Sequence, residues 1–220
     1  MAQTILTPRQ QLLLTLLFQQ EGIKKYFYLS GGTALAEYYL HHRYSEDLDF
    51  FTSQEVDPMA IRVVLKKIQR QTGYVKIDYQ QSFNRNLFFL HFTDGEIIKT
   101  EFTYYPFINI EQPRVINNAR IDSLIDIAVN KTFTIYQKPR SRDFIDLYLI
   151  LKKKKWLFEE LLRKARIKFD TPIDPLQLAQ QLLQVDELKD YPRMLIDQPY
   201  SDLEKFWLSE VTKLKSKAIK

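Results

Sequence analysis

The pattern of apolar and polar residues divides the chain into a part that mixes helices with strands and a part that is helical throughout. Apolar positions at helical spacing predict helices near residues 8–20 and 58–70, each opened by a Thr-Pro or Asp-Pro pair. Short apolar or alternating runs predict strands at residues 26–29, 47–51, 74–79, 86–92 and 96–105. From Asp122 onward the pattern predicts helices at residues 122–136, 142–153, 157–167, 175–183 and 201–216.

This order of elements predicts an α+β protein. The last two strands are joined at Thr93-Asp94-Gly95, a hairpin turn. The segment after Pro106, which contains Pro113 and Asn117-Asn118, is interpreted as a connection. We therefore expect a mixed-sheet domain flanked by helices at about residues 1–112 and a helical C-terminal domain at residues 113–220.

The chemically informative stretch is Leu29–Phe51, in which a glycine pair and a carboxylate pair occur close together. Gly31-Gly32 follows an apolar strand and opens a helix, so its N–H groups predict an anion site. Asp47 and Asp49 alternate on the next strand and share a face, where their charges repel. A divalent cation such as Mg²⁺ relieves that repulsion. A phosphate cradle beside a carboxylate pair predicts phosphoryl or nucleotidyl transfer.

A later strand offers a third carboxylate. On Ile97–Tyr104, alternation places Lys99, Glu101 and Thr103 on one side and Ile98, Thr100, Phe102 and Tyr104 on the other. Glu101 is then a candidate neighbour of Asp47 and Asp49. The alternative is an ordinary solvated strand face.

Composition adds information about the partner and the compartment. The net charge is +5, but residues 131–220 carry 19 Lys and Arg against 13 Asp and Glu, whereas residues 1–130 carry 13 against 14. The basic half predicts a polyanionic partner, RNA foremost, although a solvated helix face would explain it as well. The absence of cysteine and of any apolar run of about 20 residues favours a cytoplasmic protein with no membrane segment.

The order of parts resembles the nucleotidyltransferase superfamily: strand, Gly-Gly-Thr, helix, then Asp-apolar-Asp on a strand. The local sequence, Gly31–Leu35 followed by Arg43–Asp49, is similar to that of the AbiEii/AbiGii toxin nucleotidyltransferase family. The resemblance implies a nucleotidyltransferase-like sheet domain whose active site lies in a cleft formed with the helical part. It also implies that Glu101 is the third acid.

The same resemblance assigns residues in the helical part. The family has a Lys on one helix and an Arg/Lys-Asp-x-x-Asp sequence on the next, and the matching positions are Lys131, Arg142, Asp143 and Asp146. Lys131 would meet a triphosphate, and Asp143 would orient Lys131 or contact the nucleotide. The alternative is an exposed Arg142–Asp146 pair with a solvated Lys131.

The complete expected site combines these assignments. Asp47, Asp49 and Glu101 would hold Mg²⁺ or Mn²⁺, and Asp47, Asp49, Glu101, Lys131 and Asp143 would be catalytic. The residues expected to bind the nucleoside triphosphate are Gly31, Gly32, Thr33, Arg43, Ser45, Lys131, Arg142 and Asp146. Arg43 would bind phosphate bidentately or pair with Glu46 or Asp47.

The expected activity is transfer of a nucleoside monophosphate from a nucleoside triphosphate to RNA, tRNA or protein. The family implies the toxin of a toxin–antitoxin or abortive-infection system, and hence an antitoxin partner. Two alternatives stay open: a non-catalytic RNA- or partner-binding module on this fold, and a nucleotidyltransferase that modifies a small molecule.

Overall fold

The structure is a computed structural model that describes residues 4–218, with side chains as far as Leu214. The chain divides into two compact units, Met1–Ser123 and Leu124–Lys220.

Within its described residues, the first unit contains a seven-stranded mixed sheet in the order β3-β4-β5-β2-β1-β7-β6. The strands are β1 Tyr28–Ser30, β2 Leu48–Thr52, β3 Lys76–Ser82, β4 Arg85–His91, β5 Ile97–Tyr104, β6 Arg114–Ile116 and β7 Ala119–Ile121. The helices are α1 Pro8–Phe18, α2 Glu21–Tyr26, α3 Gly31–Leu35 with a π-helical continuation at Ala36–Leu40, and α4 Pro58–Thr72. β2 runs parallel to β5, and β1 runs parallel to β7.

The helix starts follow the expected capping chemistry. Thr7 forms a capping box with Gln10 at the start of α1, and the Asp57 side chain accepts a hydrogen bond from Met59 N at the start of α4. One boundary differs from the prediction, because α2 extends through Tyr26 and the strand begins only at Tyr28. The glycine pair forms the beginning of α3.

The core of the first unit lies against one face of the sheet. The Phe50 and Phe102 rings stack with centroids 4.9 Å apart, and Phe18 and Phe88 pack around them. Leu48 is also fully buried. Because side chains alternate along β2 and β5, this apolar packing forces the acidic residues of both strands onto the other face.

The interpretation of residues 114–121 as part of a connection is wrong. Asn117 and Asn118 both have positive φ, and they form the two-residue turn of a hairpin between β6 and β7. β7 then pairs with β1, with Ile121 opposite Leu29. The first unit therefore extends to Ser123, eleven residues beyond the predicted boundary at 112.

The second unit is helical in its described residues. Its helices are α5 Leu124–Gln137, α6 Ser141–Lys154, α7 Phe158–Lys168, α8 Pro175–Leu183 and α9 Tyr200–Ala218. Trp207 of α9 is fully buried and packs edge-on against Phe144 and Phe158, with ring centroids 5.4 and 5.1 Å apart. The α+β fold class is confirmed. No helix among residues 4–218 has both the length and the apolar composition that a membrane span requires.

A buried ion pair joins α5 to α7. Lys168 Nζ lies 2.7 Å from Asp126 Oδ1, and the two side chains are 2% and 0% exposed. Each of these buried charges depends on the other, because the loss of one residue would leave the remaining charge buried without a partner.

Replacing Lys168 with Met should therefore destabilise the protein by about 3–5 kcal/mol, the usual cost of leaving one partner of a buried pair behind. Chemical denaturation followed by circular dichroism measures the change. Lys164→Met on the same helix is the control, because Lys164 is exposed and its loss should have little effect. Equal stability of the two variants would contradict a structural role for the pair.

Candidate active site

The pairing of β2 with its two neighbours places one residue of each strand at the same level of the sheet. Asp49 lies opposite Ser30 on β1 and opposite Glu101 on β5. Residues at one level of adjacent strands share a face, so the Asp49 and Glu101 side chains emerge on the same side. Asp47, just before β2, is brought to the same face by its ion pair with Lys99, which shares a face of β5 with Glu101. The three predicted carboxylates thus lie on one face; their roles stay predictions.

Two basic side chains bind the outer carboxylates. Lys99 Nζ lies 2.8 Å from Asp47 Oδ2. Arg85 donates from Nε to Glu101 Oε1 and from Nη2 to Glu101 Oε2, both at 2.6 Å. Thr103 Oγ1 donates a further hydrogen bond of 2.8 Å to Glu101 Oε1. Glu101 is therefore held from two sides by strand residues.

Asp49, in the middle, has the most perturbed acidity. Burial, followed by the charges of Glu101 and Asp47, raises the pKa of Asp49 to about 7 from an ordinary value of 3.8. Glu101 behaves differently. Burial favours its protonated form, but the hydrogen bonds and charge of Arg85 outweigh burial and lower the pKa of Glu101 below its ordinary value.

The glycine pair is packed against the same group of side chains. Gly31 has φ +72°, and a Cβ added there would lie 2.5 Å from Asp49 Oδ2. A Cβ on Gly32 would collide with the Arg43 guanidinium. Both glycines are thus required locally by side chains of the chain itself, whereas the sequence suggested a ligand as the reason.

Thr33 and Ser45 connect this helix to the strand that carries the carboxylates. The Thr33 hydroxyl lies 2.8 Å from Ser45 Oγ and donates to the main-chain oxygen of Asp47. Arg43 is buried and donates from Nη1 to Tyr44 O at 2.9 Å. The structure therefore gathers Gly31, Gly32, Thr33, Arg43 and Ser45 around Asp47 and Asp49.

The second unit holds a separate cluster around Lys131. Its ammonium lies 3.0 Å from Asp143 Oδ1 and 2.6 Å from Asp146 Oδ2. All three side chains are buried, so the alternative of a solvated Lys131 beside an exposed Asp146 is wrong. Burial opposes ionisation of Asp143, but Lys131 and Arg140 outweigh it and lower the Asp143 pKa. Arg142, the remaining predicted residue, is partly exposed on α6.

Sequence reasoning missed three basic residues that contact the predicted acids: Arg85, Lys99 and Arg140. Lys99 was recognised as sharing a strand face with Glu101, but its pairing with Asp47 was not foreseen. Arg140 Nε lies 2.9 Å from Asp143 Oδ2, three residues along the chain. Arg85 could have been found from the hairpin turn at residues 93–95, because that turn sets the register of β4 against β5 and so brings Arg85 close to Glu101.

The fit of this site to a divalent cation depends on those basic residues. Among the described residues, no group of three or more His, Cys, Asp or Glu side chains is arranged to hold a metal ion as it stands. Lys99 and Arg85 occupy oxygens of Asp47 and Glu101 that would otherwise be available. The donors themselves fit Mg²⁺ or Mn²⁺, because all are carboxylate oxygens and no ion pair to Asp49 is found among the described residues.

Comparison with known proteins identifies the family. A family model described as "Nucleotidyl transferase AbiEii toxin, Type IV TA system" matches residues 13–210. The chain belongs to the AbiEii family. The carboxylates of the sheet and the Lys131 cluster both lie within the matched AbiEii region.

Two individual proteins illustrate the likeness. The uncharacterized protein aq_aa25 of Aquifex aeolicus (strain VF5) is 33% identical over 192 residues, which cover 84% of this chain and 83% of that protein. The fold is also similar to the crystal structure of JHP933 from Helicobacter pylori, with a TM-score of 0.58 and 18% sequence identity. This match covers 96% of this AbiEii chain and 93% of the JHP933 chain. At that identity the second likeness shows the fold alone.

The raised pKa of Asp49 has a measurable effect on stability. Between about pH 4 and 7 the folded protein retains a proton that the unfolded chain releases, so the contribution of Asp49 to the free energy of unfolding falls as pH rises through this interval. Asp49→Asn removes this dependence. The Tm of the variant minus that of the wild type should therefore be larger at pH 8 than at pH 5, without added metal.

Differential scanning calorimetry at the two pH values gives both differences. Glu55→Gln, an exposed carboxylate in the loop after β2, is the matched control and should show no such change. A Tm difference for Asp49→Asn that is the same at both pH values would mean that Asp49 titrates as an ordinary carboxyl group.

Proposed function

We propose that this AbiEii family member transfers a nucleoside monophosphate from a nucleoside triphosphate to a macromolecular acceptor, with Mg²⁺ or Mn²⁺ as cofactor. The observation that carries the proposal is the position of Asp49, level with Glu101 on β5 and packed against Gly31 at the start of α3. Acidic oxygens beside a close-packed backbone turn are what a metal-bound triphosphate needs.

In this proposal the sheet residues bind the metal. Asp47 and Asp49 would hold it, and Glu101 would supply a third carboxylate. The bound metal would orient the phosphates and stabilise charge on the attacking and leaving oxygens. Gly31, Gly32 and Thr33 bind phosphate oxygens, while Arg43 and Ser45 hold the strand entry in place through their contacts around Gly32 and Thr33.

The Lys131 cluster supplies a positioned positive charge. Asp143 and Asp146 fix the Lys131 ammonium from two sides, and Arg140 holds Asp143 in turn. A lysine restrained in this way keeps its direction when a triphosphate binds, so less side-chain entropy is lost. Lys131 then contacts the triphosphate, with Arg142 as a further phosphate-binding residue.

The acceptor oxygen attacks the α-phosphorus and displaces pyrophosphate, and the acceptor's proton passes to solvent or to a nearby carboxylate. The excess of Lys and Arg in residues 131–220 favours RNA, including tRNA, as the acceptor over protein. The family's type IV toxin–antitoxin description supports a toxin with an antitoxin partner.

The test uses nucleoside triphosphates labelled at either the α- or the γ-phosphate. Purified protein with Mg²⁺ and total RNA or cell extract should incorporate the α-label but not the γ-label, because pyrophosphate leaves. Asp49→Asn should reduce incorporation by roughly 100-fold or more, the scale of losing a main electrostatic element of a site. Glu55→Gln should incorporate label at the wild-type rate. Equal incorporation by Asp49→Asn and wild type would remove Asp49 from the mechanism.

One observation favours a second candidate, a non-catalytic binding module. Lys99 and Arg85 already neutralise two of the three carboxylates, as they would in a site that has lost its metal. Thermal shift assays separate the candidates, because a ligand that binds only the folded state raises Tm. The enzyme should be stabilised by at least one of the four nucleoside triphosphates with Mg²⁺. No shift with any of them would favour the binding module.

A further inference from the structure

The pairing of Arg85 with Glu101 uses both oxygens of the carboxylate. Oε1 accepts from Arg85 Nε and Thr103 Oγ1, and Oε2 accepts from Arg85 Nη2, with Lys99 Nζ 3.7 Å away. Such a bidentate pair is among the stronger polar contacts in proteins. In this arrangement both carboxylate oxygens of Glu101 are occupied by side chains of the protein itself.

The two partners differ in their surroundings. The Glu101 side chain is 5% exposed, whereas the Arg85 side chain is 50% exposed. Arg85 is also the first residue of β4, directly after the turn at Phe83-Asn84. The guanidinium can therefore swing into solvent while Glu101 stays in place, and the hydrophobic core need not move.

Asp49 provides the contrast within the same face of the sheet. No ion pair to its carboxylate is found in the part of the chain that the structure describes, and it lies between the two acids that do have basic partners. A divalent cation attracted to Asp49 meets Arg85 as a competitor for Glu101. Arg85 must therefore leave Glu101 before all three carboxylates can bind a metal ion.

We infer that Arg85 is an exchangeable counter-ion: it neutralises Glu101 in the free protein and moves to a phosphate of the incoming triphosphate, which frees Glu101 for the metal. A planar guanidinium matches phosphate as well as it matches carboxylate, so the exchange replaces one bidentate contact with another. Metal and triphosphate should then bind cooperatively. This inference rests on the proposed function.

The experiment measures binding rather than turnover. Isothermal titration calorimetry with Mn²⁺ alone and with tripolyphosphate alone avoids the need to know the base. Arg85→Met should bind Mn²⁺ about tenfold more tightly than wild type, because Glu101 is released, and tripolyphosphate about tenfold more weakly, because the phosphate contact is lost. Lys76→Met, which removes an exposed lysine paired with Asp78 on β3, should change neither.

A double variant distinguishes competition for Glu101 from a general gain of negative charge. In a Glu101→Gln background, Arg85→Met should no longer tighten Mn²⁺ binding, because the contested carboxylate is gone. If the tightening persists there, Arg85 acts only through its charge and the exchange is wrong. If wild type and Arg85→Met bind Mn²⁺ equally, the exchange is also wrong.

Two further variants complete the set. Arg85→Lys keeps the positive charge but loses the two-pronged guanidinium, so it should tighten Mn²⁺ binding less than Arg85→Met does. If circular dichroism shows that Arg85→Met is unfolded, Arg85→Lys takes its place in the comparison with wild type. Mn²⁺ binding by Arg85→Lys that equals that of wild type would then overturn the inference. Asp49→Asn should abolish Mn²⁺ binding. That loss, together with no effect of Arg85 variants, would overturn the exchange and leave the metal site standing. Undiminished Mn²⁺ binding by Asp49→Asn would overturn the metal site and the exchange together.

Discussion

Repulsion between carboxylates on one face of two adjacent strands is the constraint on which the rest of the candidate site depends. The phenylalanine core on the opposite face leaves the acidic residues of β2 and β5 no other side on which to lie. The chain offsets part of the repulsion with Lys99 and Arg85, and burial together with the remaining repulsion raises the pKa of Asp49 to about 7. The folded protein thus stores an unfavourable charge arrangement that a cation of higher charge would relieve.

The two units of this AbiEii family member treat buried charge in different ways. In the second unit, Lys131 is placed between two aspartates, and Lys168 is matched to Asp126, so buried positive and negative groups meet at hydrogen-bonding distance. In the first unit, the three carboxylates Asp47, Asp49 and Glu101 share two basic partners, Lys99 and Arg85, and no ion pair to Asp49 is found among the described residues. Pairing at hydrogen-bonding distance fixes the direction of a charged group, whereas a carboxylate without a basic partner keeps an attraction for a cation.

Much of the fold could be read from the sequence because the relevant signals are local. Thr7-Pro8 and Asp57-Pro58 mark helix starts through their own capping chemistry, and alternation on residues 97–104 shows which side Glu101 occupies. Contacts between distant segments were not readable in the same way. The parallel pairing of β7 with β1 depends on a crossover, and three-residue strands carry too few alternating positions to be recognised. The family resemblance pointed to Lys131 and Asp143. Only the structure shows that these side chains are buried and that Lys131 forms its ion pairs inside the second unit.

The β6–β7 hairpin has a consequence for how the first unit can be separated from the rest. β7 completes the sheet by pairing with β1, and Asp122 just beyond it accepts a 2.6 Å hydrogen bond from Ser30, the residue opposite Asp49. A fragment that stops at residue 112 would leave β1 with a bare main-chain edge, open to pairing with another molecule. The sheet unit is therefore complete only at residue 123, because the segment up to that residue includes both the pairing of β7 with β1 and the hydrogen bond from Ser30 to Asp122.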